Sequence, residues 1–216
     1  MRTVRSSWST RMGPSPSRWH RRRRLRSRAQ TSSSTRSKRP PNSPVEPMAT
    51  DLGSAAVPPP ADDDHRRGSG PPVVLYLDLA CPHCAADWLA IRELPLSLCV
   101  RHFPIASKRP RAPALHAAVE AAAGMGGEPV FWSFWDSLME DQGHHDDPHL
   151  WQRAARFGLD ISRFDAERRG EVVAERVQRD FRSGIRGGVV GTPAGFIGSE
   201  LIRGDLAMAL AELASA

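Results

Sequence analysis

A short apolar run that opens directly onto two closely spaced cysteines constrains this chain more than any other feature. Val73-Val74-Leu75-Tyr76-Leu77 is continuously apolar and partly β-branched, the pattern of a central strand buried on both faces. Cys81-Pro82-His83-Cys84 follows, and Ala85 to Ile91 then reads as a helix that stops before Pro95. Pro82 suits the first turn of that helix, where its missing N–H is no loss. Leu96 to Phe103 reads as a second strand, with Leu96, Leu98 and Val100 facing one way. Strand, helix and strand make a βαβ unit, whose crossover is expected to be right-handed.

The cysteine spacing decides the chemistry. Residues at i and i+3 on a first helical turn share a face, within reach of a disulfide. A pair this close closes almost no loop and cannot staple a fold, which leaves redox work or metal ligation. The free N–H groups at the helix start favour thiolate over thiol at the first cysteine. Cys81 is therefore expected to be an acidic, exposed nucleophile with a pKa below the ordinary ~8.5. Cys84, one turn deeper, is the shielded partner that resolves a mixed disulfide. A protonated His83 would add to the stabilisation of the Cys81 thiolate and make the disulfide more oxidising; the alternative is an exposed spacer. Structural zinc is the rival use of the pair, but it needs about four ligands. Cys99 stands alone in a strand as a buried small hydrophobe. The stretch holding His144, His145 and His149 reads as solvated helix capping around Asp147-Pro148. No metal is expected.

From about residue 113 to 186 the pattern is helical. Phe131, Phe134, Trp135, Leu138 and Met139 form one apolar stripe. Asp147-Pro148 reads as an N-cap followed by proline at the first helical position, with Gly158 ending that helix. Val173, Val177 and Phe181 mark a further helix face, and the aromatic residues are read as core rather than as a ligand box. Beyond Gly184, Gly187 and Gly188 come two short strands, Ala194 to Ile197 and Leu201-Ile202-Arg203, turned at Gly198. Asp205 then caps a last helix bearing Leu206, Leu210 and Leu213.

Charge divides the chain. Residues 1–47 hold 13 of the 30 Lys and Arg residues and a single acid, Glu46, a net charge of +12; the remainder holds 17 bases and 23 acids, a net of −6. The basic character thus belongs to the tail and gives no reason to expect nucleic acid on the folded part. The tail is rich in Ser, Arg and Pro without periodicity, so it is expected to be disordered. It lacks the apolar region of a secretory signal, and translation is read as starting at Met48. Residues 48–71, with Pro58-Pro59-Pro60, Asp62-Asp63-Asp64 and Gly68-Ser69-Gly70, read as a flexible linker. That leaves residues 72–216 as one domain, large enough for a core without staples. No apolar run approaches the ~20 residues that cross a bilayer, and no membrane insertion is expected.

With these motifs in place, the sequence resembles the DsbA-like branch of the thioredoxin superfamily over residues 72–214. Cys81-Pro82-His83-Cys84 matches the active-site tetrapeptide typical of DsbA, and Asp78 completes the common Asp-x-x-Cys-Pro-x-Cys form. Arg101-His102-Phe103-Pro104 is similar to the second-strand ending of this branch, and Phe157-Gly158-Leu159-Asp160 to a junction between insert helices. Val190-Gly191-Thr192-Pro193 matches the loop that carries the family's cis-proline, while Ala194-Gly195 are smaller than the residues that often follow it.

The resemblance implies an α/β thioredoxin fold (βαβ–ββα) with an inserted all-helical subdomain. It implies a protein thiol–disulfide oxidoreductase working through Cys81, Cys84 and His83. Asp78, Pro82, Thr192 and Pro193 would line the site, and a substrate chain would add as a strand along the Thr192 backbone. No cofactor is needed, because the disulfide itself holds two electrons. The expected partners are protein thiols or disulfides and an unidentified electron donor or acceptor, with the protein a monomer. A cytoplasmic location is expected, where a reducing thiol pool makes reductase, isomerase or relay work as plausible as oxidation. Two rivals stand beside this reading. One is a small-molecule branch of the fold, which commonly has Ser in place of the pair. The other is a non-catalytic redox-sensing or partner-binding module, of the kind appended to membrane transporters.

Overall fold

The computed structural model describes residues 56–202 and 204–216. The expectations for the tail, the start at Met48 and the first part of the linker lie outside the described residues, as does Arg203. The elements in order are β1 (His65–Arg67), β2 (Pro72–Leu77), α1 (Pro82–Ile91), β3 (Ser97–His102), α2 (Ala112–Glu140), α3 (Asp147–Arg156), α4 (Ile161–Glu167), α5 (Glu171–Arg186), β4 (Ala194–Ile197), β5 (Glu200–Leu201) and α6 (Leu206–Ala214). None of the described helices is long and apolar enough to cross a membrane.

The five strands form one sheet in the order β1-β3-β2-β4-β5. β2 and β3 are parallel, paired from Pro72 opposite Ser97 to Leu77 opposite His102, with α1 as the crossover. β1, β4 and β5 add antiparallel. β2 therefore has a strand on each side and a covered face above and below, which is why its sequence is apolar without alternation. Val73, Leu75 and Leu77 join the core made with α1, α2 and α6. Val74 and Tyr76 face the other way, against Val57, Phe103, Val189 and Phe196, with Phe181 of α5 packed on them. This is the α/β thioredoxin fold, with α2 to α5 inserted between β3 and β4.

Residues 56–71, expected to belong to a flexible linker, are instead part of the sheet and its cover. β1 pairs with β3, setting His65 opposite Val100 and Arg67 opposite Leu98. Val57 is buried on the second face. The fastening is polar, which is why an apolar-periodicity reading passes over it. Arg101, buried on β3, donates to the carbonyls of Pro58 (2.9 Å) and Pro59 (3.0 Å), to the Tyr76 hydroxyl (3.1 Å) and to Asp64 Oδ2 (2.8 Å). Arg67 reaches Asp136 Oδ2 on α2 at 2.7 Å.

α1 turns Cys84, Ala85, Trp88 and Ile91 inward. The Trp88 ring stacks on Trp132, and its N–H donates to Asp136 Oδ1 at 2.7 Å, which ties the cysteine-bearing helix to the insert. α2 is broken at Gly127, which takes φ 75° and ψ −174°, a conformation open to glycine, and Pro129 restarts the helix in its first turn. The Phe131 to Met139 stripe is buried along the second half. Asp146, rather than Asp147, caps α3 by accepting the His149 N–H at 3.1 Å, so Pro148 is the second helical residue. Gly158, at φ 76°, ends that segment and Asp160 caps α4. β5 covers Glu200–Leu201 and so begins one residue earlier than expected; Ile202 follows the strand, its N–H donating to the Gly195 carbonyl at 2.8 Å.

Candidate functional site

Cys81 is the N-cap of α1, in extended conformation (φ −98°, ψ 115°), and Pro82 opens the helix. The Cys81 N–H donates to the Asp78 carbonyl at 2.9 Å, and its own carbonyl accepts from Ala85 at 3.0 Å. Its side chain makes no capping bond, so the sulfur stands beside the unfilled N–H groups of the first turn. The Cys84 thiol, with burial opposing, holds Cys81 down to about 5, and the backbone N–H groups of Cys84 and His83 and the charge of Arg109 act in the same direction. Cys84 moves the other way. Burial first, and then the neighbouring Cys81, push its thiol far up. The two sulfurs are thus unequal: their surroundings favour the thiolate at Cys81 and the thiol at Cys84.

Cys81 is not exposed as expected; its relative exposure is 1%. The Thr192–Pro193 segment closes on it, with the Thr192 carbonyl 3.8 Å from Sγ, and the Thr192–Pro193 bond is cis. His83 points outward and is exposed. It reaches Cys81 through its backbone N–H, and the side-chain cation felt by that sulfur is Arg109. Arg109 sits in the Lys108-Arg109-Pro110-Arg111 run, where nothing in the sequence singles it out among its basic neighbours. Cys99 is a buried thiol pushed up to about 12 by its burial. All three cysteines are free thiols.

Asp78 is wholly buried behind the pair. Its N–H donates to Cys84 Sγ at 3.4 Å. Oδ1 accepts from the Ala80 N–H at 2.9 Å and Oδ2 from the Ile105 N–H at 3.1 Å. Burial acts to raise its pKa, but His116 and these two N–H groups hold the carboxyl below the usual range. His116 Nε2 lies 3.7 Å from Asp78 Oδ1 and accepts from the Leu79 N–H at 3.1 Å. Burial holds His116 down to about 4, so the ring is neutral.

Beyond His116 lie His102, Glu120 and His65. Their Nε2 and carboxylate atoms are the one set among the described residues in which three donors suited to a metal come within 4.8 Å of one another. Of the histidines weighed as zinc ligands, His144 pairs with Asp141 and His149 with Asp146, each three residues away along the chain, while His145 is half-buried. An apolar groove of about 1090 Å³ is lined by Phe103, Ile105, Val177, Phe181, Val189 and Val190 among others. Two of its lining residues adjoin the site: the Ile105 N–H donates to Asp78, and Val190 lies two residues before Thr192 in the chain.

Fold and dithiol together define a thioredoxin-fold protein with a helical insert. The chain belongs to the family of DSBA-like thioredoxin domains, whose family model matches residues 88–214; the match rests on the insert and the second half of the fold and begins just past Cys84. Among solved structures, the chain is similar to a thioredoxin-like oxidoreductase from Silicibacter pomeroyi DSS-3 (19% identity, TM-score 0.61, 72% of this chain and 91% of that one). It is also similar to the thiol-disulfide exchange protein alpha-DsbA2 from Wolbachia pipientis (20% identity, TM-score 0.61, 70% and 86%). Among curated proteins, it is 35% identical over 139 residues to a Na(+)/H(+) antiporter NhaA from Herminiimonas arsenicoxydans, covering 62% of this chain and 21% of the antiporter. The chain thus spans about a fifth of the length of that relative.

Proposed function

We propose that this protein is a thiol–disulfide oxidoreductase that exchanges a Cys81–Cys84 dithiol with protein substrates, working as a monomer. The observation that carries the reading is the inequality of the two sulfurs: a Cys81 sulfur held down to about 5 beside a Cys84 thiol pushed far up. In the reducing direction the Cys81 thiolate attacks a substrate disulfide, and one substrate sulfur leaves as thiolate. Cys84 then attacks Cys81 in the mixed disulfide, releasing the second substrate sulfur and leaving the Cys81–Cys84 disulfide. In the oxidising direction a substrate thiolate attacks the Cys81–Cys84 disulfide and the same steps run backwards. On this reading the Thr192 loop yields to admit a substrate to the buried Cys81 sulfur, and the Thr192 carbonyl would pair with the extended substrate chain. The apolar groove beside it would take the flanking apolar side chains.

The test is a Cys84→Ser variant, in which mixed disulfides at Cys81 should accumulate, together with insulin reduction driven by dithiothreitol. No trapped disulfide and no insulin turnover would defeat the proposal. The match to part of a sodium–proton antiporter favours a second reading, a redox-sensing module that serves an ion transporter. That module would take up a disulfide in a single turnover yet fail to turn over insulin.

A further inference from the structure

The loop that joins β3 to α2 brings one cation to the dithiol and gives its donors no partner. Beyond His102 the chain turns at residues 106–108. The N–H groups of Lys108 and Arg109 both donate to the Ile105 carbonyl, at 3.0 and 2.9 Å, and the Ala112 N–H closes on the Arg109 carbonyl at 3.0 Å. Ile105 is itself pinned, since its N–H donates to Asp78 Oδ2 at 3.1 Å. The Arg109 backbone is thus fixed on both sides, and its Nη1 lies 3.8 Å from Asp78 Oδ2. Asp78 in turn meets both cysteines through its backbone, accepting the Cys81 N–H at 2.9 Å and donating to Cys84 Sγ at 3.4 Å. One residue separates the guanidinium from the reactive pair.

A guanidinium carries five N–H donors in a planar fork that matches a carboxylate. At 3.8 Å Asp78 attracts the Arg109 charge but is too far away to accept a hydrogen bond, and its two oxygens already accept from Ile105 and Ala80. Among the described residues no other carboxylate lies within ion-pair distance of Arg109. Arginines in comparable or deeper burial do otherwise: Arg67, Arg101 and Arg153 each hydrogen-bond a carboxylate, on Asp136, Asp64 and Asp141. Within the same basic run, Arg111 is engaged by the His145 carbonyl at 2.8 Å and by Asp147 at 2.6 Å, and Lys108 is exposed. Arg109 keeps 24% of its side-chain surface open to solvent, enough to meet a ligand while the rest is held in place. The acid whose charge also bears on Cys81 is Asp87 of α1, pushed up by burial and by Asp205; it discourages an anion from that helix and leaves the loop as the side that attracts one.

We propose that Arg109 is a specificity-determining residue that binds an acidic side chain next to the reacting cysteine of a protein substrate. The inference rests on the thiol–disulfide reading of the same pair and adds the class of substrate sequence that the pair selects. In the first step the Cys81 thiolate attacks the nearer substrate sulfur, a Cys81–substrate sulfur bond forms, and the other substrate sulfur leaves as thiolate with the electron pair. The substrate carboxylate is unchanged throughout. Two parallel N–H bonds from Arg109 hold it, and with it the disulfide, in line with Cys81. A carboxylate could equally come from a small thiol such as glutathione. A protein source is favoured because residues 103–107 of this same loop line the apolar groove, which gives a longer chain apolar contacts beyond its acidic residue.

The test compares two disulfide-linked peptides with blocked ends, alike except for Glu or Gln beside the cysteine, with glutathione disulfide as a third probe. Each is reacted with the Cys84→Ser protein, so that formation of the mixed disulfide at Cys81 is the only step followed. Every rate is divided by the rate of the same disulfide with mercaptoethanol, which removes differences in the leaving thiol. The Glu to Gln ratio also cancels any change in the thiolate fraction of Cys81, because both peptides meet the same sulfur. The Glu peptide should react about fivefold faster, the scale of a partly exposed ion pair. That preference should vanish in Arg109→Gln, survive in part in Arg109→Lys, and stay whole in Lys108→Gln, which removes an equal charge one residue away. No preference, a preference kept in Arg109→Gln, or an equal loss in Lys108→Gln overturns the assignment. An Arg109-dependent advantage confined to glutathione disulfide overturns the protein source. Failure of every disulfide to react defeats this inference and the proposed function together. An Arg109-dependent Glu preference without insulin turnover defeats only the proposed turnover.

Discussion

Lowering the pH on the reduced protein tests the site most directly, because the expected change follows from one group. Cys81 titrates at about 5 in the folded state against an ordinary 9.0. A group whose folded pKa lies below its unfolded value stabilises the fold in full only above the unfolded pKa, and loses that contribution as pH falls through the folded one. For Cys81 the window runs from pH 9 down to 5. Each pH unit within it is worth about 1.4 kcal/mol, so about 3 kcal/mol is present at pH 7 and nearly none remains at pH 5. The same energy favours dithiol over disulfide, making the pair about 60 mV more oxidising at pH 7 than one of ordinary thiols. The assay is iodoacetamide alkylation of Cys81 against pH, with Cys84 and Cys99 silent because their thiols stay protonated. Denaturation of the reduced protein at pH 5 and pH 7 is read beside it, with Cys81→Ser as control. An alkylation midpoint near 9, or an equal pH dependence of stability in Cys81→Ser, would show that Cys81 is an ordinary thiol in the folded protein.

Three further outcomes are expected. Arg109→Gln removes a charge that favours the Cys81 thiolate, and the alkylation midpoint should rise by less than about one pH unit, since the Cys84 thiol and the helix N–H groups remain. Arg101→Met takes the closest cation from buried Asp64, leaving Arg176 at 3.6 Å and Arg179 at 3.9 Å, and frees the Pro58 and Pro59 carbonyls; urea denaturation should show a loss of about 3 kcal/mol, and limited proteolysis should cut residues 57–64 first. Gly184→Ala places a methyl 2.7 Å from Phe103 Cε2 and 2.9 Å from Tyr76 Cδ1. That should push α5 off the sheet and cost about 1–3 kcal/mol in the same measurement.

What could be read from the sequence was local, and what could not was made by contacts distant along the chain. The strand Val73 to Leu77, the first turn at Cys81 to Cys84 and the Phe131 to Met139 stripe each carry their own periodicity within about ten residues, so pattern alone places them. β1 carries none. His65-Arg66-Arg67 is short, charged and flanked by Pro, Asp and Gly, and it is held by Val100 and Leu98 across the ladder and by Asp136 and Glu120 from α2. The preference for Asp147 over Asp146 as a cap shows the smaller error, one residue between two equivalent acids. The expectation of an exposed Cys81 failed because the covering Thr192 loop arrives from more than a hundred residues away. Yet the buried histidines did leave a trace. His102 stands where the Leu98–Val100 face of β3 next points inward, and His116 interrupts the stripe of Leu115, Ala118, Val119 and Ala122 on α2. A polar ring on a face that must be buried needs a partner inside. Two such rings, on a strand and the helix that follows it, are each other's most economical solution. Those two exceptions to the apolar pattern, taken as a pair, point to the buried His102–His116 contact behind Asp78.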